Sequence, residues 1–307
     1  MHIAIYFHGR VPVRGYGGTQ RVIVWLGRAL MELGHQVTLL AAPGSSLPGA
    51  TILPVDPPGS PGFDLDARLP PGVDLLHSHE PFASPPRCPH VVTLHGNLHP
   101  GRTAPRNTIF LSADHARRCG GIAYVHNGLD PSDYCFQADK ADYDLFLGRL
   151  HAAKGYRWAI AGARAAQRRL ILAGGWRPTL RRGIRYVGEV RGERKTAWLA
   201  GARCLWMPAQ WEEPFGLTLI EALVSGTPVL GTRRGALPEI VGAEVGALGD
   251  SLDSLVKLRP SLDRVDPYAC RRHVERSFTH LTMAESYLRM YDHFLATGSL
   301  PAGKPAG

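Results

Sequence analysis

Short apolar runs without polar alternation recur along the chain, and each is followed by a loop and then by a helical pattern. In the first example, the run 2–7 leads into a glycine-containing loop, after which apolar residues stand at helical spacing from Val22 to Leu33. Strands that are apolar on both sides are typical of parallel sheets that helices cover on both faces. The sequence therefore predicts an α/β protein built from doubly wound parallel sheets.

The same order of strand and helix restarts in the middle of the chain, which indicates two domains. In the first half, strands are predicted at 2–7, 37–41, 74–77, 91–94, 108–111 and 122–125. In the second half, a helix is predicted at 155–166 and strands at 143–147, 170–173, 184–187, 204–207 and 228–230. A chain of 307 residues with 44% hydrophobic residues is long enough to form two such cores.

The domain limits follow from this pattern. We expect an N-terminal domain at 1–136 and a C-terminal domain at 137–281, with the segment 131–142 as the linker. An apolar stripe predicts one further helix at 282–296, which would pack back across the first domain. Residues 298–307 are mainly Pro, Gly, Ala and Lys and are expected to form a flexible tail.

The net charge of +9 is concentrated in the second half of the chain. Residues 1–136 hold 10 Lys and Arg against 9 Asp and Glu, whereas the remainder holds 25 against 17. Part of the surplus clusters at Arg177, Arg181, Arg182, Arg185, Arg191, Arg194 and Lys195. This cluster either is a solvated basic face or meets phosphate. Because aromatic residues do not alternate with it, we expect no nucleic-acid partner.

Cysteine usage and hydropathy indicate the compartment in which the protein is expected to work. The five cysteines are odd in number, scattered and without a Cys-x-x-Cys pair, so neither a disulfide framework nor a zinc site is predicted. The sequence has no apolar run of about 18 residues and no signal-peptide pattern, so we expect a cytoplasmic protein. A metal site at His77-Ser78-His79-Glu80 is disfavoured, because alternate residues at a strand end point to opposite faces and no third ligand is suitably spaced.

Gly17 and Gly18 stand between the first predicted strand and the first helix, where a backbone without side chains can approach an oxyanion closely. A simple tight turn is the alternative role for this pair. The spacing is not Gly-x-Gly-x-x-Gly, and no Lys-Ser/Thr pair follows the glycines of 148–155. The sequence therefore predicts neither a dinucleotide fingerprint nor a Walker loop.

The segment 213–221, Glu-Pro-Phe-Gly-Leu-Thr-Leu-Ile-Glu, predicts a turn that opens a helix. The start of a helix offers unpaired N–H groups and a positive dipole end, which suit a diphosphate. Glu213 in the loop and Glu221 about one turn inside the helix would be repelled by phosphate, but an ionised carboxylate accepts hydrogen bonds from the hydroxyls of a ribose or a hexose. The segment therefore predicts a sugar-nucleotide site.

Two cations and a histidine follow other predicted strands. Arg149 and Lys154 come directly after the first strand of the second domain, where a guanidinium and an ammonium match a diphosphate and stabilise charge on a departing nucleoside diphosphate. His95 follows a buried strand and precedes Gly96, so it either orients a sugar or acceptor or makes a structural hydrogen bond. Ligands of open parallel sheets lie beyond the carboxyl ends of the strands, so we expect these residues to line a cleft between the two domains.

Together these features resemble the family-4 retaining glycosyltransferases of the GT-B fold. The motifs that carry the resemblance are Gly17-Gly18, Gly34-His35-Gln36-Val37, Thr93-Leu94-His95-Gly96, Asn127-Gly128-Leu129-Asp130, Gly148-Arg149-Leu150 with Lys154-Gly155, Tyr186-Val187-Gly188-Glu189-Val190, and 213–221. The resemblance implies two Rossmann-like domains that face each other across a cleft, with a C-terminal helix crossing back to the first. It also implies an enzyme without metal or cofactor that transfers a hexosyl unit from a nucleoside diphosphate sugar to an acceptor hydroxyl, with retention of configuration.

The resemblance further implies a role for each motif residue. Arg149 and Lys154 would bind the diphosphate. Glu221 would bind the ribose and Glu213 the hexose, while His95 would stand near the anomeric carbon. The predicted catalytic residues are therefore His95, Glu213, Arg149 and Lys154. The remaining donor-binding residues would act mainly through their backbones: Gly17, Gly18, Val190 at the base, Phe215, Gly216 and Leu217.

Several functions stay open on the sequence alone. A nucleotide-sugar epimerase, a phosphorylase of the same two-domain fold or a non-catalytic sugar-nucleotide binding protein would share the diphosphate site. A dehydrogenase is disfavoured, because no acidic residue follows a dinucleotide loop at the required distance. Gly235-Ala236 departs from the glycine pair that is usual in the family. The nearly neutral first half favours a soluble acceptor and leaves membrane association unsupported.

Overall fold

The computed structural model describes residues 1–13, 15, 17–56, 64–82 and 84–303. The chain forms two compact units. The first unit combines Met1–Leu129 with Thr279–Gly307, and the second unit is Asp130–Phe278.

The segment 131–142 belongs to the second unit, although the sequence pattern indicated a linker. Lys140 Nζ donates hydrogen bonds to the carbonyl oxygens of Ala200 (2.7 Å) and Ser225 (3.3 Å). Tyr134, before the predicted boundary at Phe136, is buried. The second unit thus begins earlier than the apolar pattern indicates, because these contacts involve residues far along the chain.

The described residues form twelve strands and nine α-helices. The strands are β1 (His2–Phe7), β2 (Gln36–Ala41), β3 (Thr51–Pro54), β4 (Leu75–Ser78), β5 (His90–Thr93), β6 (Thr108–Ile109), β7 (Asp144–Leu147), β8 (Leu170–Ala173), β9 (Ile184–Gly188), β10 (Leu205–Met207), β11 (Val229–Thr232) and β12 (Gly246–Gly249). The helices are α1 (Gly18–Glu32), α2 (Ala113–Arg118), α3 (Tyr156–Ala165), α4 (Gly192–Gly201), α5 (Leu217–Val224), α6 (Leu237–Ile240), α7 (Leu252–Leu258), α8 (Pro267–Ser277) and α9 (His280–Thr297). Turns of 3-10 helix lie at Asp66–Arg68, Pro131–Asp133, Ala152–Lys154 and Arg259–Arg264.

The first unit contains a six-stranded parallel sheet in the order β3-β2-β1-β4-β5-β6. The chain runs outward from β1 to β3 and returns to β4 on the other side of β1, so the strand order reverses between β1 and β4. The predicted strand at 122–125 was wrong, because these residues make only isolated bridges, such as Phe110 with Tyr124. The edge strand β3 was not predicted.

The second unit contains a six-stranded parallel sheet in the order β12-β11-β10-β7-β8-β9. Here the strand order reverses between β7 and β10, and the loops that leave the carboxyl ends of these strands are the expected ligand loops. The predicted α/β class with two doubly wound parallel sheets is confirmed.

A buried ion pair anchors β7. Asp144, the first residue of this strand, accepts hydrogen bonds from Arg259 Nη2 (2.5 Å), Arg259 Nε (2.7 Å) and Trp206 Nε1 (2.8 Å). All three side chains are fully buried. Because a buried charge is tolerated only when it is paired and hydrogen-bonded, these contacts hold β7 in place and with it the loop that follows its carboxyl end.

Helix α9 packs against α1 within the first unit. Its buried residues include Tyr287 and Tyr291. The hydroxyl of Tyr287 lies 3.0 Å from Thr93 Oγ1, and the hydroxyl of Tyr291 lies 2.7 Å from His77 Nδ1. The last helix is therefore joined to β4 and β5 by buried hydrogen bonds as well as by apolar packing.

The segment after α9 is described as far as residue 303. Gly303 forms a parallel bridge with Ala123, in which Gly303 N donates to the carbonyl oxygen of Ile122 (2.6 Å). This part of the expected flexible tail therefore contacts the first unit, and 304–307 lie outside the described residues. Among the helices of the described residues, none combines the length and the hydropathy that a bilayer-spanning segment requires.

Candidate active site

The loop after β7 is fixed against the loop after β10. Gln210 N donates a hydrogen bond to the carbonyl oxygen of Ala153 (2.7 Å). Gly155 adopts φ +73°, and a Cβ atom at this position would lie 1.7 Å from the carbonyl oxygen of Pro208. Only glycine satisfies both the left-handed backbone and this close approach. The geometry holds Lys154, the preceding residue, next to the loop that carries Glu213.

Lys154 and Glu213, two of the predicted catalytic residues, form an ion pair. Lys154 Nζ lies 2.6 Å from Glu213 Oε2, and the same oxygen accepts a hydrogen bond from Trp211 Nε1 (2.9 Å). The ammonium also lies 4.6 Å from the centre of the Trp211 ring. The side chains of Lys154 and Glu213 are 24% and 10% exposed, so the pair is shielded but reachable from solvent.

The loop after β11 supports the backbone of Glu213. Ala236 N donates to the carbonyl oxygen of Glu213 (2.9 Å). Gly235 adopts φ +56°, and a Cβ atom there would lie 2.3 Å from the same oxygen. Ala236 has φ −76° and ψ −6°, a conformation that any L-residue adopts. The departure from the family's glycine pair therefore falls at the position that does not need glycine.

Helix α5 begins at Leu217, directly after Gly216, which takes φ +89° at the N-cap. Phe215, which precedes this glycine, is buried. The N–H groups of the first helical turn have no partners within the helix and carry the positive end of its dipole. The predicted helix start is thus present, on the segment that joins β10 to α5.

Glu221 lies one turn inside α5 and is 1% exposed. Its Oε1 atom accepts hydrogen bonds from Lys195 Nζ (2.6 Å) and from the hydroxyl of Tyr134 (2.7 Å). Neither partner was predicted as a site residue, since Tyr134 lies in the expected linker and Lys195 in a cluster of basic residues. Only the distances between segments remote in sequence reveal them.

The other predicted residues of the second unit also follow strand ends. Arg149 is exposed after β7 and forms no ion pair with any described residue. Val190 is buried two residues beyond β9, between Glu189 and Arg191, whose exposed side chains pair at 3.3 Å. Because the sheet is parallel, the loops with Arg149, Val190 and Glu213 leave the same edge of it.

His95 follows β5 in the first unit and is half-buried. Its Nε2 atom lies 2.8 Å from Nδ1 of His79, and the rings of His79 and His77 are 4.3 Å apart. The expectation that His77 and His79 point to opposite faces was therefore wrong, because residues two apart in an extended segment lie on the same face. The extended segment continues past β4, where His79 N donates to the carbonyl oxygen of Tyr6 (3.0 Å). His77 Nε2 in turn lies 2.7 Å from Thr93 Oγ1.

Burial keeps these imidazoles neutral. It lowers the pKa of His77 to about 3, with a smaller effect of His95, and it lowers the pKa of His79 well below the usual range. Burial, assisted by His115, also lowers the pKa of His95 to about 3. Near neutral pH, His95 can therefore act as a hydrogen-bond donor or acceptor but not as a cation.

The glycine pair stands at the start of α1. Gly17 is the N-cap residue in an extended conformation, and Gly18 is the first helical residue, so Gly18 belongs to the helix and not to the loop. Within 1–13, 15, 17–56, 64–82 and 84–303, no group of three or more His, Cys, Asp or Glu side chains is placed to hold a metal ion.

Comparison with known proteins identifies the family. Residues 16–127 match the family model described as Glycosyltransferase Family 4, and residues 142–257 match that described as Glycosyl transferases group 1. A phosphatidyl-myo-inositol mannosyltransferase from Propionibacterium freudenreichii is 24% identical over 297 residues, with 76% of this chain and 78% of that protein covered.

Solved structures share the fold. AviGT4, a glycosyltransferase involved in avilamycin A biosynthesis, is 33% identical, with a TM-score of 0.83 and coverage of 98% of this chain and 99% of the other. Anabaena HepE, solved in complex with UDP and glucose, is 15% identical, with a TM-score of 0.69 and coverage of 95% and 100%. The chain therefore belongs to the family-4 glycosyltransferases of the GT-B fold and is a glycosyltransferase.

Proposed function

We propose that this glycosyltransferase moves a hexosyl unit from a nucleoside diphosphate sugar to an acceptor hydroxyl, with retention of configuration and without a metal ion. The observation that carries the proposal is the ion pair of Lys154 with Glu213 beside the start of α5, since it combines a cation for a diphosphate with a carboxylate for sugar hydroxyls. The names of similar proteins support it: mannosyltransferases, and HepE, which was also solved with UDP-glucose.

The donor diphosphate would replace Glu213 as the partner of Lys154. Its negative charge would draw the Lys154 ammonium away from Glu213, while Arg149 and the N–H groups of Phe215, Gly216 and Leu217 supply further donors. Glu213, still oriented by the indole of Trp211, would then accept hydrogen bonds from the hexose. These cationic and helix-end groups would stabilise the departing diphosphate, the task that a metal ion performs in other transferases.

The bond changes fit a displacement on one face of the sugar. The bond from the anomeric carbon to the phosphate oxygen breaks as the bond from that carbon to the acceptor oxygen forms. The acceptor proton passes to the departing phosphate oxygen, so charge and atoms balance. Glu213 would keep its hydrogen bond from the Trp211 indole after Lys154 has moved to the diphosphate, and it is therefore better suited to bind hydroxyls than to attack the anomeric carbon. His95, neutral through its lowered pKa, would bind a sugar hydroxyl in this scheme.

The test is turnover of a panel of UDP-, GDP-, ADP- and dTDP-hexoses with candidate acceptors, soluble ones first, with and without EDTA. The proposal predicts release of nucleoside diphosphate, a product whose anomeric configuration by NMR equals that of the donor, and no effect of EDTA. Arg149→Ala and Lys154→Ala should abolish transfer while the circular dichroism spectrum is unchanged. An inverted product or full turnover by both variants would refute it.

Two alternative functions predict other outcomes in the same panel. A nucleotide-sugar epimerase would convert the donor in the absence of any acceptor. A non-catalytic binding protein would be stabilised by a nucleoside diphosphate sugar in thermal unfolding but would neither hydrolyse nor transfer it.

A further inference from the structure

Lys195 is unlike the basic residues around it. Arg191 and Arg194, on the same stretch of chain, are exposed, as a solvated basic face would require. The Lys195 side chain turns inward and is 15% exposed, and its ammonium contacts a carboxylate that is itself almost fully buried. A lysine loses side-chain entropy and hydration in such a position, so its contact with Glu221 must offset both.

Lys195 and Tyr134 reach the same atom from separate segments. Lys195 lies in the first turn of α4, Tyr134 precedes β7, and both donate to Oε1 of Glu221. The ammonium also lies 5.5 Å from the centre of the Tyr134 ring, a distance at which a cation is attracted to an aromatic face. The three side chains therefore form one unit, in which neither donor can move without loosening the carboxylate.

We propose that Lys195 is a positioning residue for nucleotide recognition: together with Tyr134 it holds the Glu221 carboxylate in one orientation, so that Glu221 accepts hydrogen bonds from the ribose hydroxyls of the donor. This inference rests on the proposed function, because it places a nucleotide at Glu221. A carboxylate accepts several hydrogen bonds, and the two donors that reach Oε1 from separate segments fix its orientation. Lys195 acts on the ribose through Glu221.

The experiment is isothermal titration of the full chain with UDP, GDP and ADP, and then of the tightest binder against its 2′-deoxy form. The 2′-deoxy form lacks one hydrogen bond to a charged acceptor, so the wild type should bind it about 10- to 100-fold more weakly than the ribose form. In Lys195→Met the ribose form should lose affinity. The ratio of the two affinities should then fall to about 3-fold or less, since a mobile carboxylate no longer distinguishes the two sugars. Lys195→Arg, which keeps a charged donor, should retain most of the ratio, and the exposed control Lys257→Met all of it.

A double-mutant cycle separates positioning from direct contact. In a Glu221→Gln background, Lys195→Met should have little further effect on affinity, because the group that it orients is gone. An equal loss of affinity in both backgrounds would overturn the inference, as would an unchanged ratio in Lys195→Met. If thermal unfolding shows that Lys195→Met is not folded, Tyr134→Phe, which keeps the ring and removes the hydroxyl, must lower the ratio instead.

The binding data for the wild type show whether a failure concerns this inference alone or also the proposed function on which it rests. If the wild type binds none of the three diphosphates and does not bind dTDP either, the proposed function fails and the inference with it. If it binds dTDP alone, the proposed function stands and the inference is overturned, because dTDP lacks the 2′-hydroxyl. If it binds one of the three but does not distinguish the deoxy form, the inference alone is overturned.

Discussion

The ion pair between Lys154 and Glu213 predicts that two substitutions in one contact act in opposite directions. If the ammonium serves the diphosphate, Lys154→Met should weaken the binding of a free nucleoside diphosphate. If Glu213 serves the hexose, Glu213→Gln should not weaken that binding, since a free diphosphate carries no hexose. Glu213→Gln should instead release Lys154 from its competing anion.

The magnitudes follow from the contact. Losing a charge-assisted hydrogen bond to phosphate removes about 1.5–3 kcal/mol, which weakens binding roughly 10- to 100-fold in Lys154→Met. The side chains of the pair are 24% and 10% exposed, so the ion pair is partly screened, and breaking it to bind the donor costs about 1 kcal/mol. Removing that cost in Glu213→Gln should tighten binding of the diphosphate about 2- to 5-fold.

The assay is isothermal titration of the nucleoside diphosphate into wild type, Lys154→Met, Glu213→Gln and the exposed control Lys257→Met, with turnover of the intact donor measured in parallel. Glu213→Gln should lower kcat/KM for the donor sugar by about 100-fold or more even though it binds the diphosphate more tightly. The explanation is refuted if Glu213→Gln weakens diphosphate binding as strongly as Lys154→Met does.

Three further predictions concern stability. Gly155→Ala places a methyl group 1.7 Å from a backbone carbonyl oxygen and should lower stability by more than about 2 kcal/mol, whereas Gly34→Ala, with φ +82° and open space, should lose only about 1 kcal/mol in urea unfolding. Asp144→Asn leaves the buried Arg259 charge without its ionised partner and should lower the free energy of unfolding by about 3–5 kcal/mol, and a loss below 1 kcal/mol would contradict this account. The pKa of His77 is lowered to about 3, so the folded state excludes a proton that the unfolded state binds below pH 6.5. Stability should therefore fall as the pH decreases from 6.5 towards 3, by up to about 1.4 kcal/mol per pH unit for this residue, and His77→Gln should reduce that slope.

The sequence predicts the interior strands well but misses two of the four edge strands, β3 and β12. Strands β1 and β8 were predicted at their observed limits, because continuous apolar runs mark strands that are covered on both faces. Strand β3 ends in a proline, and β12 begins and ends with glycine, so neither carries an apolar run that would mark it. Residues 122–125 look like a strand, but the chain there makes bridges and no ladder.

In the candidate site, the residues that stand in sequence motifs could be predicted, whereas the residues that contact them could not. Glu213, Glu221, Arg149 and Lys154 could be proposed as site residues from the sequence, because each stands in a short motif at a strand end or a helix start. Their partners could not, since contacts such as that of Tyr134 with Glu221 join residues far apart in the chain. The contact between His79 and His95, which joins the ends of two strands, is likewise a tertiary feature.

The way in which α9 completes the first unit has a consequence for how the protein forms during translation. Met1–Leu129 leaves the ribosome first, yet the tyrosine hydroxyls that reach β4 and β5 lie beyond Phe278, after the whole of the second unit. The later-made unit is continuous in sequence and has all its segments once Phe278 has emerged. The nascent N-terminal half must therefore wait, with an uncovered apolar surface, until α9 has followed the second unit out of the ribosome.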